Sequence, residues 1–459
     1  MLLFVYSFFK GSVLMNKKIV IIGLDCASPN LIFDEFFDDL PNLKKIMENG
    51  VYNALESTIP PITVPAWMSM FTGKDPGELG IYGFTNRQNY DYHSFSLVSS
   101  KSVKYKKLWD IFTQKGKQNI VIGVPLTYPP SPLKGHMITG FLTPSFESNY
   151  TYPKHLKNEL LANTGHFIFD VNDFRTEDKE RLLKDIYEMT DNHFKIANYL
   201  ARNKPWDLFV MVEMGTDRIH HGFWALHDKK HPKYIKSKFN SAIRDYYIHL
   251  DKKIGEFLNG IKGDFDVIIV SDHGIKPMYG GIAINDWLFK KGYLVLKEYP
   301  KKPVSINKVI REKKIDWSKT KVWGNGGYHG KLFFNIKGRE PLGVIEKNEL
   351  DNFKTKLIKE LKDIKNEDGN AMDTKVYEPQ KIYNKVNNIP PDLIVYFDDL
   401  SWRCQGSIGN KSIYTHDNDI GPDDANHASH GIFISSNKML KINKITDFFN
   451  SIVYNYLSE

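Results

Sequence analysis

Residues 19–25, IVIIGLD, form a continuous apolar run that ends in a carboxylate. Such a run is typical of a strand buried on both faces, and helical patterns such as LKDIYEMTDNHFKIANYLAR (183–202) separate it from similar runs. The sequence therefore predicts an α/β fold with a doubly wound, mostly parallel central sheet and helices on both faces. The other predicted strands are NIVIGV (119–124), DLFVMVEM (207–214), FDVIIV (265–270), DLIVYF (392–397) and GIFIS (431–435).

One insertion is predicted between the strands of this sheet, because lysine-rich and glycine-rich segments follow FDVIIV. We expect a smaller cap subdomain at residues 276–389. Residues 16–275 and 390–459 would form the catalytic core, with DLIVYF rejoining the main sheet. Residues 1–15 are expected to be an N-terminal extension added by an upstream start codon.

The composition narrows the class of protein. The chain has 41% apolar and 25% charged residues, which is ordinary for a soluble folded protein. Its net charge of +8 comes from scattered lysines, so no nucleic-acid partner is indicated. Two cysteines are too few for a disulfide framework, which favours a cytoplasmic location. No apolar run reaches the roughly 18 residues of a membrane-spanning helix, so no membrane span is expected.

Potential metal ligands lie next to the predicted strands. Taken singly, each has a structural explanation: a helix cap, an i,i+4 pair or a hydrogen-bonded histidine. The groups are Asp25, Asp217 with His221, Asp272 with His273, and His427. Because ligands of open α/β sheets bind beyond the carboxyl ends of the strands, we expect the first three groups to meet at one edge of the sheet. His427 reaches that edge if the strand GIFIS runs antiparallel or if the loop before it folds back.

Three aspartates and three histidines at one edge are enough to hold two divalent ions. Mixed carboxylate and imidazole ligands favour Zn²⁺ or Mn²⁺ over Mg²⁺ or Ca²⁺. Thr63 lies among prolines in the segment STIPPITVPAWMSMFTG (57–73). It is predicted to be a nucleophile held at a set angle, although a proline-rich entry to a helix would also explain the pattern.

These motifs together resemble the alkaline phosphatase superfamily, in particular its type I phosphodiesterase/nucleotide pyrophosphatase branch and the neighbouring phosphohydrolase/phosphomutase group. The resemblance spans nearly the whole chain and is most specific in ITVPAWMSMFTG, TDRIHH and SDHG. It implies that one metal is bound by Asp25, Asp272, His273 and the nucleophile Thr63. It implies that the other is bound by Asp217, His221 and His427. The family spacing favours His427 over His430 and His221 over its neighbour His220.

This sequence differs from the pattern of nucleotide pyrophosphatases at two places. Nucleotide pyrophosphatases usually follow the nucleophile with Phe-Pro-Asn, where this chain has Val64-Pro65-Ala66. A stretch usually written His-Gly-Ile is Leu79-Gly80-Ile81. Both departures leave nucleotide specificity open.

The predicted function is hydrolysis of a phosphodiester or phosphate-ester bond in a small molecule, through a phosphothreonine intermediate. The alternatives are a phosphomutase of the same superfamily and a non-catalytic metal-binding scaffold protein. The sequence leaves the substrate and the oligomeric state open. Within the insertion, the segment GNGGYHGKLFFNIKGREP (324–341) is mobile and basic in composition. It is predicted to close over an anionic substrate, with a solvated surface loop as the alternative.

Overall fold

The computed structural model describes residues 17–457, so the predicted N-terminal extension lies outside the described residues. An eight-stranded sheet forms the centre of the larger body. Its strands, in spatial order, are Val51–Glu56, His430–Ser435, Phe265–Val270, Lys18–Leu24, Leu208–Glu213, Asn119–Val124, Gly135–Thr139 and Thr151–Tyr152.

The five strands from Phe265–Val270 to Gly135–Thr139 run parallel to one another. Ile19 pairs with Leu208 on one side and with Asp266 on the other, which places the central strand in register with both neighbours. The strand that contains GIFIS pairs antiparallel with Phe265–Val270. This is one of the two predicted arrangements that would bring His427 to the sheet edge where the other predicted ligands lie.

The helices pack in two groups against the sheet. One group contains the long helix Lys179–Asn203 with its neighbours Gly215–His227, Ala242–Asn259 and Pro41–Asn49. The other contains Thr63–Thr72, Pro76–Leu79, Leu108–Gln114 and Phe448–Leu457. The predicted fold class is confirmed. The remaining α-helices are Leu156–Asn163, Ile284–Lys290, Ile306–Arg311, Leu350–Lys362 and Pro379–Ile382.

A second, smaller sheet has its own hydrophobic cluster of buried residues, among them Trp323, Phe333 and Leu357. Its four antiparallel strands lie in the order Val322–Asn325, Gly330–Phe334, Leu393–Tyr396 and Lys375–Tyr377. The prediction that DLIVYF rejoins the main sheet is wrong. Its apolar run is buried here in the smaller sheet, between Gly330–Phe334 and Lys375–Tyr377. The boundaries at 276 and 390 stay predictions.

Short ribbons connect the two bodies. In a three-stranded sheet, Gly280–Ala283 lies between Trp402–Gln405 and Tyr414–Thr415. The remaining strands of residues 17–457 form two-stranded sheets. These pairs are Gly274–Pro277 with Ala425–Ala428, Val304–Ser305 with Ser407–Ile408, and Thr85–Arg87 with Phe95–Leu97. Among residues 17–457, no helix combines the length and apolarity that crossing a lipid bilayer requires.

The glycine-rich basic segment is a β-hairpin of the smaller sheet, in contrast to the mobile loop suggested by its composition. Arg339 at its end donates two hydrogen bonds of 2.7 Å to the Asp392 carboxylate. Its neighbour Glu340 forms a buried ion pair with Arg87 at 3.0 Å. The first pair lies within the smaller subdomain and the second joins it to the strand Thr85–Arg87 of the core, so Arg339 is not free to meet a substrate.

Candidate metal centre

The loop that leads into Thr63, residues 59–62, is called the Thr63 loop. It is fixed by the helix Thr63–Thr72 that follows it. Every residue of Thr63–Thr72 is buried, which is typical of a helix that is apolar on all sides. Ile62 before it is extended, and Gly73 ends it in the left-handed region at φ 67°, where glycine is unstrained. Thr63 is 4% exposed. The helix places the hydroxyl of its first residue 3.4 Å from His273 Nε2, beyond the carboxyl end of the strand Phe265–Val270.

Two carboxylates and one imidazole meet beside Thr63. His273 Nε2 lies 3.1 Å from Asp272 Oδ2, 3.8 Å from Asp25 Oδ1 and 3.4 Å from the Thr63 hydroxyl. The other oxygens of the two carboxylates are used: Asp25 Oδ2 accepts a 2.7 Å hydrogen bond from the Trp67 indole, and Asp272 Oδ1 accepts one from a backbone N–H. Asp25 therefore does not cap the helix that follows it.

A second group of three converges a few ångströms away. Asp217 and His221 share one face of the helix Gly215–His227, and His221 Nε2 lies 3.3 Å from Asp217 Oδ1. His427 Nε2 lies 3.3 Å from His221 Nε2 and 3.9 Å from the same Asp217 oxygen. The His427 ring stacks on His273 with centroids 3.8 Å apart, so the two groups are contiguous. The structure thus brings all the predicted ligands and Thr63 together.

Backbone carbonyls orient two of the histidines. His427 Nδ1 bonds to the Pro61 carbonyl at 2.8 Å, and His273 Nδ1 bonds to the Gly274 carbonyl at 3.1 Å. An N–H at Nδ1 leaves Nε2 as the lone-pair nitrogen, which is the form that binds a metal. The bond to Pro61 also explains the proline-rich stretch, because it ties the residues before Thr63 to a predicted ligand on a distant strand.

Sequence reasoning missed three residues around His221. Asp423 accepts a 2.8 Å hydrogen bond from His221 Nδ1, and Arg175 binds the same carboxylate at 3.0 Å. The Tyr328 hydroxyl lies 3.0 Å from Asp423 and receives a 2.6 Å hydrogen bond from Arg175. An acidic residue four positions before His427 was a usable signal for Asp423. Nothing in the local sequence pointed to Arg175 or Tyr328, which come from a loop and from the insertion.

Neighbouring polar residues have other partners. His220 bonds to the Tyr247 hydroxyl at 3.2 Å and stacks on that ring, and His430 is exposed. Cys26 lies within reach of Asp217 and His221, but its thiol donates to the Gly274 carbonyl at 3.4 Å. Burial raises the pKa of this thiol, so it stays protonated. None of these three was predicted as a ligand.

Burial makes ionisation unfavourable for two carboxylates of the centre. Burial and the charge of Asp217 hold the pKa of Asp25 well above its ordinary value, and burial and Asp25 do the same to Asp272. Burial lowers the pKa of His273 to about 4, so its ring is neutral near pH 7. The neutral His273 ring gives the two adjacent carboxylates no compensating charge. His221 differs, because, against the lowering effect of burial, Asp423 and Asp217 raise its pKa to about 9. A divalent cation would favour the ionised forms of both carboxylates.

The donor set fits divalent metal ions. Asp25 Oδ1 and Asp272 Oδ2 are buried without a hydrogen-bond partner anywhere in residues 17–457, although buried polar atoms are normally paired. Both face His273 Nε2, and the three atoms lie within 4.8 Å of one another. Asp217, His273 and His427 form a second group of this kind. Bound cations would satisfy these lone pairs.

Fold and centre together define an α/β enzyme with a buried site suited to metal ions and a threonine hydroxyl beside it. Residues 19–432 match the model of the type I phosphodiesterase/nucleotide pyrophosphatase family. The chain belongs to this family, within the alkaline phosphatase superfamily, and is a hydrolase that acts on phosphoric ester bonds. The predicted resemblance is confirmed. A search of the curated proteins finds no match.

Solved structures share the fold at low sequence identity. Phosphonoacetate hydrolase from Sinorhizobium meliloti, in complex with phosphonoformate, is 14% identical with a TM-score of 0.62, and 96% of each chain is covered. Murine ectonucleotide pyrophosphatase/phosphodiesterase 5, an inactive threonine-to-alanine variant in complex with AMP, is 14% identical with a TM-score of 0.54. That match covers 96% of this chain and 95% of the murine one. At these identities the likeness concerns the fold.

Proposed function

We propose that this protein is a two-metal phosphohydrolase in which Thr63 is the nucleophile. The observation that carries the proposal is the pair of buried, unpartnered carboxylate oxygens on Asp25 and Asp272, next to His273 and the Thr63 hydroxyl. One ion would be held by Asp25, Asp272, His273 and Thr63. The second would be held by Asp217, His221 and His427. Carboxylate and imidazole donors favour zinc or manganese. Bound ions would supply charge stabilisation to the transferring phosphoryl group and lower the pKa of coordinated hydroxyls.

The chain's own residues carry out the covalent chemistry. Thr63 Oγ1 attacks phosphorus and loses its proton, while the bond from phosphorus to the alcohol oxygen breaks and that oxygen gains a proton. Water then cleaves the Oγ1–phosphorus bond, which restores the hydroxyl and releases phosphate or a phosphate monoester. The murine neighbour, inactive as a threonine-to-alanine variant, supports a threonine in this role.

Positioning comes from three elements that meet at the threonine. The buried helix holds Oγ1 at one place, the Pro61 carbonyl orients His427, and the Trp67 indole orients Asp25. A pre-oriented nucleophile removes part of the entropy cost of the attack. The low exposure of Thr63 excludes bulk water from the reacting hydroxyl.

Turnover of p-nitrophenyl phosphate and bis-p-nitrophenyl phosphate tests this proposal, with phosphonoacetate as a third compound. The protein is stripped with a chelator and reloaded with Zn²⁺ or Mn²⁺. We expect turnover of at least one ester that disappears with the metal and returns when it is added. Undiminished turnover in a preparation shown by elemental analysis to be metal-free would refute the metal dependence. Transfer of phosphate to an added alcohol, with none released to water, would favour the phosphomutase alternative.

A further inference from the structure

One loop of the core, residues 170–175, borders the site of the second proposed ion and is called the 170–175 loop below. It lies between the helices Leu156–Asn163 and Lys179–Asn203. Charged side chains stand at its two ends, Asp170 and Arg175. Each makes an ion pair with a residue that contacts a different predicted ligand of the second ion. The loop is therefore connected to that site at two points.

The first connection runs through Arg218. Its Nε donates a 2.6 Å hydrogen bond to Asp170 Oδ1, and its Nη2 donates one of 2.8 Å to Oδ2. Nη1 of the same guanidinium donates to Asp217 Oδ2. The other oxygen of Asp217, Oδ1, lies 3.3 Å from His221 Nε2 and 3.9 Å from His427 Nε2. Arg218 thus holds Asp217 with one oxygen directed at the other two ligands.

The second connection runs through Asp423. Arg175 Nε donates a 3.0 Å hydrogen bond to Asp423 Oδ2, and Oδ1 of the same carboxylate accepts one of 2.8 Å from His221 Nδ1. This bond fixes the imidazole with its Nε2 toward the site. The ring of Phe174 contacts both guanidinium groups, with its centroid 4.3 Å from the Arg175 carbon and 4.2 Å from that of Arg218. The two connections therefore form one packed unit.

The contacts of Arg218 are those of an orienting group. Its side chain is 6% exposed, and that of Asp217 is 3% exposed. The paired bonds to Asp170 hold the plane of the guanidinium, because its fork of donors matches a carboxylate. Since both acids already bind its donors, Arg218 acts through Asp217 and not by contact with a substrate.

The remaining ligands are oriented by other parts of the chain. The Trp67 indole donates to Asp25, and a backbone N–H donates to Asp272, at the site of the first ion. His427, the third ligand of the second ion, is oriented from the Thr63 loop through the Pro61 carbonyl. The bonds of the 170–175 loop therefore lead to the second ion.

We propose that the 170–175 loop is a positioning element for the second ion, with Arg218 holding Asp217 and Arg175 holding His221 through its carboxylate partner. The inference rests on the proposed two-metal function and assigns a role to a loop that supplies no ligand. Hydrogen-bond partners behind metal ligands typically contribute 10- to 100-fold in metal affinity or activity. Loss of the loop's contacts should therefore weaken one ion and spare the other.

Stepwise metal binding tests this role without turnover. Zn²⁺ is titrated into the metal-free protein in competition with a chelator, and Co²⁺ reports the geometry of each site through its visible absorption. Asp170→Asn removes the charge that anchors the guanidinium, whereas Arg218→Lys keeps the charge but cannot bridge two carboxylates. We expect each variant to bind one ion about 10- to 100-fold more weakly, with an altered Co²⁺ spectrum for that ion. The affinity for the other ion should change less than about threefold.

A matched control separates this effect from a general disturbance of the loop. Arg181 binds the Asn172 carbonyl of the same loop and pairs with Asp185 at 2.8 Å. The Asp185 side chain is 30% exposed and that of Asp170 is 26% exposed, so the two acids are comparable. Asp185→Asn should leave both affinities at the parent values. If Arg218→Lys does not fold, Asp170→Asn, at the partly exposed end of the contact, decides the question.

The outcomes distinguish this role from the proposed function. Two ions in the parent, with both affinities unchanged in Asp170→Asn and Arg218→Lys, would overturn the role of the loop and leave two-metal hydrolysis intact. Equal losses for both ions, or losses as large in Asp185→Asn, would also overturn it. An Arg218→Lys protein that binds like the parent would show that charge alone matters and contradict positioning. Fewer than two ions bound by the parent would refute the two-metal proposal together with the role of the loop.

Discussion

The Thr63 hydroxyl lies 3.4 Å from His273 Nε2, a nitrogen that also lies within 4 Å of unpartnered oxygens on two buried carboxylates. The hydroxyl and the donor set come from distant parts of the chain, since 210 residues separate Thr63 and His273. A helix-entry residue has no reason to face such a cluster. The arrangement is the one expected of a nucleophile that shares a cation with its neighbours.

Thr63→Ala should abolish catalysis while the fold and most of the metal remain, because three protein ligands of that ion are retained. We expect kcat/KM to fall at least about a thousandfold, or about 4 kcal/mol of barrier. Thr63→Ser keeps the hydroxyl and should retain measurable activity. If threonine serves only to start the helix, Thr63→Ala will instead lower stability by about 0.5 to 2 kcal/mol and leave turnover nearly unchanged.

Asp423→Asn should weaken metal binding without touching a predicted ligand. The carboxylate orients His221 through a 2.8 Å hydrogen bond, and such partners typically contribute 10- to 100-fold in metal affinity or activity. Competition with a chelator should show a loss of about that size for one of two ions. Asp424→Asn is the matched control, because Asp424 pairs with Lys233 at the surface. Equal losses in both variants would argue against an orienting role.

Asp25→Asn should stabilise the metal-free protein. The folded-state pKa of Asp25 is raised above its ordinary value of 3.8, so ionisation costs more in the folded state than in the unfolded state. This cost is absent below about pH 4 and grows as pH rises through the folded pKa. Asparagine removes it while keeping an oxygen for Trp67. With chelator at pH 7, the free energy of unfolding should rise by about 1 to 2 kcal/mol.

Urea unfolding between pH 4 and pH 8 checks this, with exposed Asp34→Asn as control. The gain should vanish toward pH 4, and added metal should stabilise the parent more than Asp25→Asn, which keeps the ligands of the second ion. A gain that is independent of pH would mean that Asp25 is not under electrostatic strain in the metal-free protein.

Glu340→Gln should destabilise the inserted subdomain. Glu340 and Arg87 form an ion pair at 3.0 Å whose side chains are 0% and 1% exposed, so the amide would leave the guanidinium buried without a counter-charge. Removing one partner of a buried pair costs about 3 to 5 kcal/mol. Denaturation followed by tryptophan fluorescence measures the loss. Glu346→Gln, at an exposed pair with Lys337, should change stability by less than about 1 kcal/mol.

The sequence predicted the main sheet and the convergence of the ligands because both depend on local patterns. A buried strand appears as an apolar run, and its carboxyl end fixes the place of the next side chain, as for Asp25 and Asp272. An i,i+4 pair on a helix fixes Asp217 relative to His221. These rules need no knowledge of distant contacts.

What was missed depends on contacts between distant segments. An apolar run such as DLIVYF shows burial but not the sheet to which it belongs, so its assignment to the main sheet was wrong. Composition indicated a mobile segment at 324–341, whereas Val322–Asn325 and Gly330–Phe334 pair as a hairpin that Leu393–Tyr396 holds in the smaller sheet. Arg175 and Tyr328 reach His221 through Asp423 from segments 46 and 107 residues away from it.

The most direct measurement is peptide mass analysis after a brief reaction of the metal-loaded protein with an ester that it turns over, stopped with acid. We expect phosphate on residue 63 in the parent and in Thr63→Ser, and none on that peptide in Thr63→Ala. Turnover by Thr63→Ala within a few-fold of the parent at equal metal content, with no phosphopeptide in any sample, would contradict a covalent mechanism through Thr63.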